Sequence, residues 1–272
     1  MEIIEINIYP IKSLSRISLG NSIVESRGLQ FDRRWMLVNE NSEFLTQREF
    51  PKMSTLNVKI IENNLQVFDN DNSIEVPLLP LTRDSVTVKV WSSKFRADIY
   101  GDEINKWFSN VLQTNCKLVS MPEETKRKVN YFYAVHKEDM VSFADGYPFL
   151  LIGESSLEDL NKRLEKKIPM NRFRPNFVVS KSEPFEEDTW RKIKIGKTVF
   201  HLVKPCARCV MTTIDQETGI SDGKEPLKTL ATYRIPKRSS KKKILFGQNL
   251  IAENTGERIN VGDKIEILEQ KN

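Results

Sequence analysis

The 272-residue chain is poor in the side chains that build crosslinks and metal cages, with three cysteines and two histidines. An odd, low cysteine count argues against a disulfide framework and makes the reducing cytoplasm the expected location. It also leaves too few thiols for an intrinsic four-cysteine iron–sulfur cluster. No run approaches the eighteen or so apolar residues of a membrane-spanning helix, so no membrane association is expected. Residues 1–9 alternate polar and apolar side chains and carry two acids, where a secretory signal needs a basic start and an unbroken apolar stretch. Internal repeats and low-complexity segments are absent. The charge excess is mild, 42 basic against 37 acidic residues for a net +5, and it is mixed along the chain. That balance suits an anionic small ligand and gives no reason to expect nucleic acid as a partner.

What is present reads as two β-rich parts. Alternation predicts strands at 3–9, 21–26, 34–39, 43–47, 55–61, 64–69 and 86–91, punctuated by hairpin turns at 39–42 and 63–64. Residues 101–113 change period: Ile104, Trp107, Phe108, Val111 and Leu112 form one helical face, with Asp102 placed to cap it. Residues 120–142 are polar and basic and read as a linker. Beyond it come a buried run at 149–152 and a helix opened by a Ser155/Glu158 capping box and running to about residue 166. A strand at 177–180, a hairpin through Gly196-Lys197 and a strand at 210–214 follow. A short helix at 226–233, a basic loop at 237–243 and two closing strands complete the pattern. The expected fold is α+β, predominantly antiparallel and barrel-like, in two parts at 1–120 and 121–272.

Three polar clusters stand out. Lys12-Ser13 follows Tyr9-Pro10, where a strand turns into a loop; it is either a solvated turn or a phosphate contact. Asp32-Arg33-Arg34-Trp35 and Arg48 put guanidinium groups at the ends of neighbouring strands. Such arginines form weak surface ion pairs or, converging, a bidentate clamp for an oxyanion. The third cluster is Cys206-Ala207-Arg208-Cys209. A closed zinc site needs four ligands, and only Cys116, His136 and His201 remain to supply them. A thioredoxin-like dithiol needs a helix after the pair, whereas 210–214 looks like a strand. Two unreactive cysteines, or one thiolate ligating a metal cofactor, stay open on spacing alone.

These motifs taken together resemble those of MOSC proteins: an N-terminal MOSC β-barrel domain followed by a MOSC domain, most similar to the amidoxime-reducing molybdenum enzymes of mitochondria and bacteria. The resemblance runs through Tyr9-Pro10-Ile11-Lys12-Ser13, Asp32-Arg33-Arg34-Trp35, Thr46-Gln47-Arg48, Tyr147-Pro148-Phe149 and the helical segment 156–167. It continues through Phe173-Arg174-Pro175-Asn176, Cys206 to Asp215, and Phe246-Gly247-Gln248. Nearly the whole chain is covered.

The resemblance implies a molybdenum cofactor with Cys209 as metal ligand and catalytic residue, and Cys206 as its neighbour. It assigns the pterin and its phosphate to Lys12, Ser13, Arg33, Arg48, Tyr147, Arg174, Asn176, Ala207 and Arg208. Three positions depart from the eukaryotic pattern: Gly146 and Tyr147 replace small hydroxyl residues, and Ala207 replaces a serine. The implied reaction is two-electron reduction of the N–O bond of an amidoxime, hydroxylamine or N-hydroxylated base. With no iron–sulfur domain expected, electrons would come from a separate ferredoxin- or cytochrome-type donor, docking on basic residues 126–128 or 237–243. Other MOSC proteins carry sulfur or bind the cofactor without turnover, which gives the rival readings.

Overall fold

A computed structural model describes residues 1–221, 223–237 and 242–271. The basic loop at 237–243 therefore lies largely outside the described residues. An eight-stranded sheet dominates. Its order is Ile265–Gln270, Trp190–Ile195, Thr198–Ala207, Leu245–Ala252, Phe149–Gly153, Phe177–Ser180, Glu2–Ile8 and Ile17–Leu19. Every pairing is antiparallel except Phe149–Gly153 with Phe177–Ser180. Those two run parallel because the helix Glu154–Asn161 carries the chain back between them. A four-stranded sheet and two three-stranded sheets complete an α+β fold.

Strands from the start of the chain share sheets with strands from its end. Glu2–Ile8 pairs with Phe177–Ser180, and Arg258–Asn260 pairs with Asn21–Glu25. The apolar residues that alternate along these strands meet in one core. Phe149, Phe177 and Phe200 interlock there with ring centroids 5.2–5.9 Å apart, among Ile3, Ile6 and Ile8. A second core forms around Trp35, Leu37 and Phe108, where the helix Asp102–Leu112 lays down its apolar face. The Trp35 indole N–H donates to the Tyr100 hydroxyl at 2.8 Å, which satisfies the one polar atom of a buried side chain.

Several expectations need correction. Asp102 lies in the first turn of its helix, and Gly101 occupies the cap position without a side-chain bond; the acid there complements the helix dipole instead. The Ser155/Glu158 capping box does not form. The helix starts at Glu154 and ends at Asn161, and Ser155 Oγ pairs with Ser182 Oγ at 3.3 Å. Residues 43–47 make only isolated bridges. Residues 120–142 are an ordered, partly inward-facing segment: Thr125, Arg127 and Val129 are buried while Lys126 and Lys128 between them are exposed. The predicted strand at 210–214 is the 3-10 helix Val210–Thr213. Among the described residues no helix is long and apolar enough to cross a membrane.

Candidate functional site

The site begins where the first strand ends. Tyr9 is buried, and its backbone N–H donates to Asp32 Oδ1 at 2.8 Å. Its ring carries two guanidinium groups, Arg33 at 4.4 Å and Arg174 at 4.1 Å from the centroid. Arg33 is anchored: its Nη1 donates to Asp32 Oδ2 at 2.6 Å and to Asn176 Oδ1 at 3.3 Å. Burial acts to lower the Arg33 pKa, but the buried Asp32 carboxylate outweighs it and the net shift is upward. Arg174 has no carboxylate. Its Nη1 reaches Gln216 Oε1 at 3.2 Å, while Nη2 is buried without a partner. Burial, with the Arg33 charge adding to it, pushes Arg174 down to about 10.

Backbone strain concentrates in the same place. Ser13, Arg33 and Arg174 have φ of +70°, +51° and +55°, the left-handed region that side chains occupy at a cost of about 1–3 kcal/mol each. Three site residues held there are consistent with a geometry kept for use.

Lys12 comes in from below. Buried among apolar groups, its ammonium donates to the Phe143 carbonyl at 2.9 Å and to Asp145 Oδ1 at 2.5 Å. Burial lowers the lysine pKa, and Asp145 opposes the shift. The Asp145 carboxylate, although desolvation works against it, is held at about 2 by Lys12. Loop 142–145 is fixed from its other side by Arg127. That guanidinium donates to the carbonyls of Ser142 at 2.6 Å and Asp145 at 3.0 Å, and also to that of Ala144. The middle residue of the expected docking triplet 126–128 is thus structural, and Lys128 is paired with Glu138 at 3.0 Å.

The cysteine segment reaches the site through Arg208, which bonds the Phe173 carbonyl next to Arg174. The pairing of Thr198–Ala207 with Leu245–Ala252 slips between Pro205 and Ala207, which puts Cys206 in a bulge. Cys206 packs partly inside the apolar cluster around Phe173 and Phe246, and burial raises its thiol pKa despite Arg208. Cys209 is exposed and sits at the N-cap of Val210–Thr213. Its carbonyl accepts the Thr212 N–H at 3.1 Å and the Thr212 hydroxyl at 3.0 Å. Arg208 donates to the carbonyls of Phe246 at 2.7 Å and Phe173 at 2.9 Å, and its Nη2 is buried without a partner. Gly247 makes room for it, since a Cβ there would lie 3.3 Å from that Nη2.

Of the residues singled out by sequence, Lys12, Ser13, Arg33, Arg174, Arg208 and Cys209 come to the walls of this site. Asn176 is a strut: it donates to the Asn7 carbonyl at 3.0 Å and accepts the Leu150 N–H at 3.1 Å. Tyr147 packs edge-on against Tyr133, 6.0 Å away, and both rings receive the Lys204 ammonium. Ala207 is exposed beside the bulge. Arg48 lies over the Trp91 ring, at 5.0 Å, on the outer side of Asp145. Asp215 is a turn organiser, accepting the N–H groups of Glu217 and Thr218 at 3.0 Å each and Arg172 Nη2 at 2.9 Å.

Sequence reasoning missed Asp145, Arg127, Trp91 and the pair Gln47 and Gln216. In that pair each side-chain amide donates to the other's oxygen at 3.0 Å. Only the position of Gln47 within Thr46-Gln47-Arg48 hinted at a role.

Among the described residues no group of three or more His, Cys, Asp or Glu side chains is placed to hold a metal. A metal here would therefore need ligands supplied by a bound cofactor. The two orphaned guanidinium nitrogens and the excess of buried cations fit an anionic cofactor of that kind.

The MOSC N-terminal beta barrel domain family matches residues 1–115, and the MOSC domain family matches residues 138–266. The chain is 34% identical over 278 residues to mitochondrial amidoxime-reducing component 1 of Mus musculus, covering 97% of this chain and 81% of that protein. It is 36% identical over 274 residues to mitochondrial amidoxime reducing component 2 of Rattus norvegicus, covering 95% and 80%. Against molybdenum cofactor sulfurase of Oryza sativa subsp. japonica the identity is 33% over 260 residues, covering 88% of this chain and 31% of that protein. On sequence and domain order, the chain belongs to the MOSC family, an N-terminal MOSC β-barrel domain joined to a MOSC domain.

Proposed function

We propose that this protein is a molybdenum-cofactor-dependent reductase of N-hydroxylated compounds, with Cys209 as the metal's protein ligand. The observation that carries the reading is the convergence of buried cations with unused donors, Arg174 Nη2 and Arg208 Nη2, on a site edged by an exposed thiol. Arg33, Arg174 and Lys12 hold the cofactor's phosphate and pterin, and Arg208 steadies the segment that presents Cys209. Tyr9 fixes the two guanidinium planes so that little side-chain entropy is lost on binding. Asn176 serves by locking Arg33.

When bound, the cofactor supplies two-electron chemistry that converts N–OH, two electrons and two protons into N–H and water. The protein's share is ligation, orientation and charge. Lys12 keeps Asp145 ionised beside the reacting region. A separate one-electron donor provides the electrons. Its docking face includes exposed Lys126 and excludes Arg127, which is spent on loop 142–145.

The likeness to a molybdenum cofactor sulfurase gives a second reading, in which a cysteine carries persulfide sulfur and the pterin is cargo. One experiment separates them. Protein made with ample molybdate should carry near-stoichiometric molybdenum and reduce benzamidoxime with reduced viologen. Molybdenum should be lost in Cys209→Ser and kept in Cys206→Ser. Absence of molybdenum together with persulfide on a thiol would sink the reductase reading.

A further inference from the structure

Beside the cation cluster is a feature that takes no part in holding an anion. Strands Ser85–Val90 and Ser93–Ile99 form a hairpin in which Ser93 pairs with Val90, so the turn consists of Trp91 and Ser92 alone. Two-residue turns that match strand twist call for positive φ and favour asparagine or glycine. Trp91 stands there at φ +55°. The hairpin does not need it for packing, because Val88, Val90 and Ala97 already fill the inner face. A bulky side chain in a strained turn, outside the core, points to use rather than stability.

Its neighbours say what use. The indole N–H donates to Asp145 Oδ1 at 3.3 Å, the same oxygen that takes the Lys12 ammonium. Neither bond uses Oδ2, and the Asp145 side chain is 67% exposed. Phe44 meets the indole edge-on at 5.3 Å, with Lys12 over the Phe44 ring at 5.0 Å. Arg48 completes the row beyond Trp91. With all of these in place Trp91 is still 47% exposed. Phe44, Thr46, Arg48 and Trp91, with the charged Glu43, Glu49 and Lys89 around them, line a groove of about 290 Å³, a size for one small planar molecule.

We infer that Trp91 is a specificity-determining wall of the substrate site, selecting planar, ring-bearing N-hydroxylated amidines and bases over small hydroxylamines. The inference rests on the reductase reading. An aromatic ring packs on the open indole surface, and stacking of this kind tolerates many ring types. Asp145 Oδ2 accepts an N–H of the amidine in a charge-assisted bond, and the ring stacking is what a small hydroxylamine lacks. Arg48 belongs to this groove, where its stacking on Trp91 sets the groove's far edge.

The test compares kcat/KM for benzamidoxime and for N-methylhydroxylamine, with reduced viologen as donor, in the wild type, Trp91→Asn and Trp91→Phe. Asparagine suits the turn, so loss of folding does not confuse the result; Tm should hold or rise. The ratio of the two kcat/KM values should fall roughly tenfold in Trp91→Asn and be largely retained in Trp91→Phe. A change below about twofold in Trp91→Asn overturns the inference. Calorimetric titration with benzamidine, which needs no turnover, decides the case where the reductase reading itself fails. Binding about tenfold weaker in Trp91→Asn than in wild type supports the inference. Equal binding, or none to either protein, overturns it.

Discussion

Arg33 and Arg174 lie over the same ring, their guanidinium carbons 4.4 and 4.1 Å from the centroid of Tyr9. Among the described residues, of the two only Arg33 is in direct ion-pair contact with a carboxylate. The pair is therefore half neutralised, and an added anion completes it. Inorganic phosphate should raise the Tm of cofactor-free protein. At about ten times its Kd the gain is about 1.4 kcal/mol. Arg174→Met should abolish most of that gain, and an equal rise in the variant would show that the anion binds elsewhere.

Gly247 is the point where the sheet makes room for Arg208. It has φ +79°, and a Cβ there would meet Ile152 Cγ1 at 2.6 Å and the Leu151 carbonyl at 2.9 Å. Gly247→Ala should cost about 2–4 kcal/mol in urea denaturation, from left-handed strain plus overpacking. A loss below about 0.5 kcal/mol would mean that the strand shifts freely.

Glu187 is a fully buried acid whose carboxylate accepts the Ser156 hydroxyl at 2.9 Å and the Gly153 N–H at 3.2 Å. Burial outweighs these bonds and raises its pKa. A raised carboxyl pKa means stability that is full below the unfolded value and is lost as pH rises through the folded one. Glu187→Gln keeps the acceptor and does not titrate. Its Tm relative to wild type should therefore climb between pH 4 and pH 7, and a flat difference would refute the assignment.

Gln47 and Gln216 join the Thr46-Gln47-Arg48 turn to the segment after Cys209. Gln47 also donates to the Ser13 carbonyl at 2.7 Å. A double-mutant cycle of Gln47→Ala and Gln216→Ala should show coupling of about 0.5–1.5 kcal/mol. Coupling near zero would mean that water replaces the pair at no loss.

The parts of the fold legible in the sequence are those fixed by local pattern. The helix Asp102–Leu112 follows from Trp107, Phe108, Val111 and Leu112 at helical spacing, and the Gly196 hairpin follows from alternation around a turn residue at φ +57°. The turn after Cys209 misleads, because Val210, Thr212, Thr213 and Ile214 carry strand propensity. Threonine hydroxyls bonding back to Cys209 and Val210 carbonyls override it. In the site, Lys12, Arg33 and Arg174 were found as motif residues. Asp145, Arg127 and Trp91 were not, since each gains its meaning only from a partner brought close by folding, as Lys12 and Asp145 are across 133 positions.

Glu2–Ile8 lies between Ile17–Leu19 and Phe177–Ser180 in the large sheet, and Asn21–Glu25 waits for Arg258–Asn260. On the ribosome, Glu2–Ile8 and Asn21–Glu25 emerge long before their partners Phe177–Ser180 and Arg258–Asn260. The edges that await those partners must stay shielded until they are made. A nascent chain stalled before those partners are made would expose apolar strand edges that recruit chaperones. The cation site likewise waits for Arg174 and Arg208, which are made long after Tyr9 and Arg33.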